Sequence, residues 1–434
     1  MNDVKALRSL LIASLLAVAT SAAAQDPSPY KFEFHGFVTG SLYMQDQVGG
    51  VQQSGQGLLF YAPSPANHMP TLPTAGANQK SGTFVGGDVR QSRYIFSLSG
   101  PKAFAGATPK AYFEGDLLGG QGGAPLIESW VWRIRAAYAQ LTWDNAWLAA
   151  GQFSANTAFA QLPDSVSHIA NPYTFGGGSY GWRMIGFRGA YIVPMSAAKL
   201  TLTATVAGPK APNDSNGATP AGVGAGQVSG MPALELNANF EGKAGNVGYR
   251  VYGDVFYQSA DLKGFGGAGT GLTLGDGSVK TSFNSTGYVV GGKVTFAPVY
   301  LAGNFYVGEG LGAWAGALLQ QGAIKETGYW VSLGGNATKE LSAQVTYGVS
   351  APDEKTVRLW GVGTAFANAA QKKENTVIAG QVKYMDAGYA FALEYISLST
   401  KYLQGTYAQY AAGTAAAAIK SDMYQIILTG GYFF

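Results

Sequence analysis

The stretch that most constrains this chain is its end, Asp422 to Phe434, reading DMYQIILTGGYFF. Counting back in twos from Phe434 collects Tyr432, Gly430, Leu428, Ile426 and Tyr424 on one face, as in a strand with one apolar side. The same period returns upstream. Lys31 to Gln45 sets Phe32, Phe34, Gly36, Val38, Gly40, Leu42 and Met44 against Glu33, His35, Thr39, Ser41 and Gln45, with Phe37 and Tyr43 alone interrupting the polar side. Lys199, Thr201, Thr203 and Thr205 oppose Leu200, Leu202, Ala204 and Val206, and Glu235, Asn237, Asn239 and Glu241 oppose Leu234, Leu236, Ala238 and Phe240. A chain patterned at period two throughout is all-β.

A soluble sandwich alternates too, so composition has to decide. Charged residues make up only 12 % of the 434 residues, aromatics 13 %, and 62 residues are glycine. So few charges would leave a soluble surface hard to keep dispersed. Beyond the N-terminus no apolar run approaches the roughly 20 residues of a membrane helix. Alternating apolar residues, abundant glycine and aromatics near strand ends fit a transmembrane barrel with a wet interior. At the N-terminus, Lys5 and Arg8 precede the apolar run Leu10 to Val18, and Ala22-Ala23-Ala24 offers a small-residue cleavage site. Residues 1–24 are therefore expected to be a signal peptide, leaving residues 25–434 as the barrel.

Taken in order, the chain predicts about 16 strands of around ten residues in an up-and-down antiparallel barrel. Short turns, such as Trp143-Asp144-Asn145, Ala297-Pro298 and Asp386-Ala387-Gly388, alternate with long glycine-rich loops, including 47–87, 154–181, 208–230 and 259–284. An even strand number puts both termini on the short-turn side, which is expected to be periplasmic, with the long loops extracellular. Phe296, Tyr300, Tyr384, Tyr389, Tyr432 and Phe434 lie near the turns, where a membrane-interface girdle belongs.

The inventory for catalysis is thin. Cysteine is absent and the only histidines are His35, His68 and His168. His168 follows Asp164, Ser165 and Ser167, but in a loop, where a solvated polar segment explains them better than a hydrolase does. Glycine pairs in Gly308-Glu309-Gly310-Leu311-Gly312 lack the Lys-Ser or Lys-Thr of a phosphate loop, no cluster has metal-ligand spacing, and no basic block interleaved with aromatics points to nucleic acid. No cofactor or metal is expected, and no enzyme activity. More specific is a set of basic residues on the inward parity of early strands: Arg93, Lys110, Arg133, Arg135 and Arg188, with Glu114 and Asp116 on a strand between them. In Trp130-Val131-Trp132-Arg133-Ile134-Arg135 the arginines share the side that must face away from lipid. They form either a self-neutralising brace or a selectivity element.

The terminal Phe434 with Tyr432 two residues earlier resembles the C-terminal signal of Gram-negative outer-membrane barrels, which implies insertion by the barrel-assembly machinery into outer-membrane lipid. From Arg90 to Tyr191 the chain also resembles trimeric outer-membrane porins, including the DcaP-like ones. The resemblance is carried by Arg133-Ile134-Arg135-Ala136-Ala137-Tyr138, by Leu148-Ala149-Ala150-Gly151-Gln152-Phe153, and by a long loop opening at Ser154. It implies a homotrimer, a third loop (154–181, with Phe159, Asp164, His168 and Tyr173) folded into the lumen, and an arginine-lined constriction. The expected function is passive diffusion of small hydrophilic solutes, weakly favouring anions such as carboxylates. The alternative is an adhesin-like structural barrel acting through its outer loops.

Overall fold

The computed structural model describes residues 29–46, 60–64, 83–119, 131–155, 162–169, 173–210, 224–263, 271–361 and 371–434. The expected signal peptide, Phe159 and Trp130 lie outside them. Sixteen antiparallel strands form one closed sheet. The first five are β1 (Lys31–Gln45), β2 in two segments (Phe84–Asp88 and Arg93–Ser99), β3 (Thr108–Asp116), β4 (Arg133–Thr142) and β5 (Ala146–Ser154). The next six are β6 (Arg183–Pro194), β7 (Ala198–Ala207), β8 (Ala233–Ala244), β9 (Val247–Asp261), β10 (Ser282–Phe296) and β11 (Val299–Glu309). The last five are β12 (Lys325–Asn336), β13 (Leu341–Pro352), β14 (Lys372–Asp386), β15 (Tyr389–Tyr402) and β16 (Ile419–Phe433).

Each strand pairs with its sequence neighbours, and β1 closes the ring on β16 with Phe37 opposite Phe433 and Gln45 opposite Gln425. The seam ends in a reciprocal pair, Gly36 N–H to Phe434 O and Phe434 N–H to Gly36 O, each 3.0 Å. Gly36 is required there, because a Cβ would lie 2.3 Å from the Arg93 carbonyl oxygen. The Phe434 ring packs 5.2 Å from Phe34, so Phe434→Ala should weaken closure by about 1–2 kcal/mol. Cold and heated gel electrophoresis should then show a smaller fraction of chain in the heat-modifiable, folded band than for the native protein.

The side-chain pattern is that of a water-soluble protein turned inside out. On β8, Glu235 is 1 % exposed while its neighbour Leu236 is 60 % exposed. Leu202, Val255, Leu301, Leu333, Val345, Leu393 and Leu428 stand outward in the same way around the ring. In water each such side chain would forgo roughly 1.5–3 kcal/mol of burial, so the outer wall is apolar where that of a water-soluble protein is polar. Phe296, Tyr384, Tyr389, Tyr432 and Phe434 join it near the turns. Tyr300 does not: it points inward, its hydroxyl donating to Gln344 at 2.7 Å and its ring under the Lys293 ammonium at 4.0 Å.

The interior departs from a uniformly wet lumen. One apolar cluster joins inward residues of β5, β6, β9 and β11 (Phe153, Met184, Tyr252, Phe256, Tyr306) to the loop residues Phe60, Phe175, Tyr180, Leu311 and Trp314. Another lines β1 and β14 to β16 with Tyr43, Val377, Ile396, Leu398, Met423 and Ile427, against Ala62. Open space of about 860 Å3 lies on the turn side, bounded by Lys293, Lys339, Lys383, Gln344 and the loop residues Asp164 and His168.

Candidate functional site: a charged arc and a tethered loop

The site begins with a break in β2. Asp88 receives the Arg90 backbone N–H at 2.8 Å and holds the Arg90 guanidinium at 2.5–3.0 Å, which turns the chain between the two strand segments. Ser92 mends the ladder with its side chain: Thr39 N–H donates to Ser92 Oγ at 3.1 Å. The strand resumes at Arg93 in register with Phe37 on one side and Asp116 on the other. A bulge between Glu114 and Gly115 then lets both Arg133 and Arg135 of β4 reach the inner carboxylates.

Three guanidinium groups share two carboxylates there. Arg133 binds Asp116 through two bonds of 2.9 and 2.6 Å. Arg135 bridges both acids, 2.7 Å to Glu114 and 2.8 Å to Asp116. Arg93 lies 3.1 Å from Glu114 and over the Phe37 ring at 5.4 Å, and Tyr112 donates to the other Glu114 oxygen at 2.9 Å. Asp116 is wholly buried and Arg135 nearly so. Charges this dry persist only when paired, yet three against two leave one positive charge over.

Lys110 and Arg188 stand apart from this group. Lys110 lies towards the turn side, 5.6 Å from the Tyr112 ring. Arg188 makes a separate pair on β6 to β8, donating to Thr205 at 2.9 Å and Glu235 at 3.1 Å, with its guanidinium 4.2 Å over Phe153. Reading the sequence missed Arg183. By strand parity it belongs with the outward Ile185, but as the first residue of β6 it sits at the rim. It is buried beside Trp182 and its charge is repelled by Arg135, Arg133 and Arg93. Among the described residues it is in no ion pair and its Nε has no hydrogen-bond partner, so the positive surplus beside the arc grows by one.

The loop between β5 and β6 meets the opposite wall. Ser165 Oγ donates to Glu394 at 2.7 Å, and the Val166 and Ser167 amides donate to the same carboxylate at 3.3 and 3.0 Å. Asp164 pairs with Lys383, and its amide donates to Gln344 at 3.0 Å. Further along, Asn375 of β14 donates to the Gly176 carbonyl at 2.5 Å, in the 3-10 turn Tyr173–Gly177. Only the backbone of Tyr173 is described. Arg93 donates to the Ile169 carbonyl at 3.2 Å, tying the loop to the arc. His168 is buried, its Nδ1 2.7 Å from Ser167 Oγ, and burial pushes the imidazole pKa below its ordinary value. The signal for Glu394 was its inward parity; what it binds is 229 residues away from it in sequence.

No protein-family model matches the chain, and no curated protein is significantly similar to it. Solved structures are similar in fold. The outer membrane channel DcaP of Acinetobacter baumannii aligns over 94 % of this chain and 99 % of its own, with a TM-score of 0.59 at 14 % identity. An anion-selective porin from Comamonas acidovorans aligns over 93 % and 100 %, with a TM-score of 0.54 at 10 % identity. OprB of Pseudomonas putida aligns over 93 % and 94 %, with a TM-score of 0.53 at 11 % identity. Closed, antiparallel and sixteen-stranded, the chain has the porin fold.

Proposed function

We propose that this chain is a passive diffusion channel of the Gram-negative outer membrane, admitting small hydrophilic solutes with a weak preference for anions. The observation that carries the reading is the arc itself: three guanidinium groups over two carboxylates on the inner wall, bonded through Arg93 to a loop that crosses to Glu394. In this reading the loop 154–181 is the constriction element, and Arg93, Arg133 and Arg135 set the sign of the potential where the path is narrowest. Low-dielectric walls focus such a surplus, and planar guanidinium forks suit carboxylates. Lys110 and Arg188 contribute less, Lys110 by its distance and Arg188 by its pairing with Glu235. The similarity in fold to a channel and to an anion-selective porin supports the same class. A homotrimer is part of the proposal, as is lipid around the outer wall and insertion by the barrel-assembly machinery.

Purified protein in planar bilayers tests this directly. Stepwise conductance is expected, and across a KCl gradient the zero-current potential should carry the sign of chloride preference. Absence of steps overturns the channel; a potential of the cation sign overturns the role given to the arc.

A further inference from the structure

The glycine pairs at Gly308-Glu309-Gly310-Leu311-Gly312, which fit no phosphate loop, open a segment that the proposed function does not use. From β11 the chain does not rise away from the barrel but turns in. Leu311, Trp314 and Leu318 are at most 1 % exposed. The Trp314 ring packs 4.6 Å from Phe256 on β9. Its carbonyl receives the Gly181 N–H at 2.7 Å, which joins this segment to the returning end of the loop before β6. On the far side Gln320 makes a two-way pair with the backbone of Lys372 on β14, both bonds 2.7 Å. One short stretch is thus fastened to three separated sectors of the wall.

Its backbone is also unusual. Ala315, Ala317, Leu318 and Leu319 have φ of 63°, 46°, 55° and 65°, left-handed values that residues with a Cβ adopt only when their surroundings impose them. The surroundings here include a buried carboxylate: Glu326 accepts the Ala317 amide and, at 2.7 Å, the Tyr306 hydroxyl. The ends of the excursion meet, since a Cβ at Gly312 would lie 1.9 Å from the Gln320 carbonyl oxygen. Residues 313–319 are a compact side loop on a closed neck, of a kind that is frequently functional.

We infer that residues 311–320 form a second inner constriction, packed against the returning end of the loop before β6, and that it limits conductance together with that loop. This rests on the channel reading. It differs from a loop lying over the mouth, because its apolar side chains fill the interior between β5, β9 and β11 and are not spread over a rim. Pore current falls with the free cross-section, so taking the whole segment out of the interior widens the path.

The test compares single-channel conductance of the native protein with a variant in which Gly312 is joined through one glycine to Gln320. A rise of about twofold or more is expected for the excised variant, and a smaller rise for Trp314→Ala. An excised variant that migrates as a heat-modifiable barrel but conducts like the native protein overturns the inference and leaves the channel reading intact. If excision prevents folding, Trp314→Ala with Leu318→Ala takes its place in liposome swelling with neutral sugars, where unchanged rates overturn it. No conductance from the native protein or any variant overturns the channel reading instead.

Discussion

Replacing Glu394 with alanine should free the tip of the loop before β6 and make the open channel larger and noisier. One carboxylate closes this contact, accepting from Ser165 Oγ, the Val166 and Ser167 amides and Gln381 Nε2 at 2.6–3.3 Å. Successive amides converging on an anion form a backbone nest, and the Ser165 hydroxyl in turn accepts the His168 amide at 2.9 Å. Without the carboxylate, buried amides lose their acceptor at about 1–3 kcal/mol each, more than a few surface contacts of the loop can offset. The segment then samples positions away from β15 within the lifetime of an open channel. Low-frequency current noise should rise severalfold and mean conductance should increase. Glu394→Gln keeps one acceptor and should fall between. A quiet, native-like current from Glu394→Ala in a folded barrel would show that Asp164 and Gly176 hold the loop without it.

A second large effect is expected at the arc. In the double variant Arg133→Ala, Arg135→Ala, only Arg93 remains to face Glu114 and Asp116, so the arc itself passes from one positive charge over to one negative, which Arg183 beside it offsets. The zero-current potential across a KCl gradient should lose its anion sign and fall towards zero. This variant also strips Asp116 of both its ion-pair partners, and an uncompensated buried carboxylate costs about 3–5 kcal/mol, so a lower midpoint in thermal unfolding is expected with it. Arg183→Ala separates charge from structure. Arg183 makes no ion pair among the described residues, so its loss should shift the potential towards cations by a smaller amount with little change in stability. No shift in either variant would exclude the arc and its neighbour as the selectivity element.

The strands were legible because an apolar outer face and a packed or wet interior impose period two along most of each strand. Thirteen residues from Asp422 to Phe434 suffice to place β16 within three residues of its observed start. What lay hidden was hidden for stated reasons. Phe84–Asp88 sits in a glycine-rich stretch that reads as loop, and only its pairing with Ser41 to Gln45 makes it a strand. Tyr300 has the ring of a girdle residue but the parity of the interior. Phe37 and Tyr43 looked like flaws in a polar face, yet the Phe37 ring packs tilted against Phe433 at 5.0 Å and Tyr43 belongs to an inner cluster. Of the arc, parity found Arg93, Arg133, Arg135, Glu114 and Asp116. It could not separate Arg188, because Glu235 enters from two strands further on, nor find Arg183, which lies where the strand begins and alternation no longer binds.

The uneven strand lengths bear on the surrounding bilayer. β3, β4 and β5 have 9, 10 and 9 residues, whereas β9, β10 and β14 each have 15. The shortfall of five or six residues is about 17–20 Å along a strand, and roughly two-thirds of that in height once tilt is allowed for. Where the apolar belt follows strand length, hydrocarbon beside that sector thins to match it, at fractions of a kcal/mol for each ångström, while the far side sits in lipid of ordinary depth. A barrel with such a notch carries an elastic load on one flank. The load vanishes when the flank meets protein, and Ile134 on β4 and Leu148 on β5 are the exposed side chains that would be covered there.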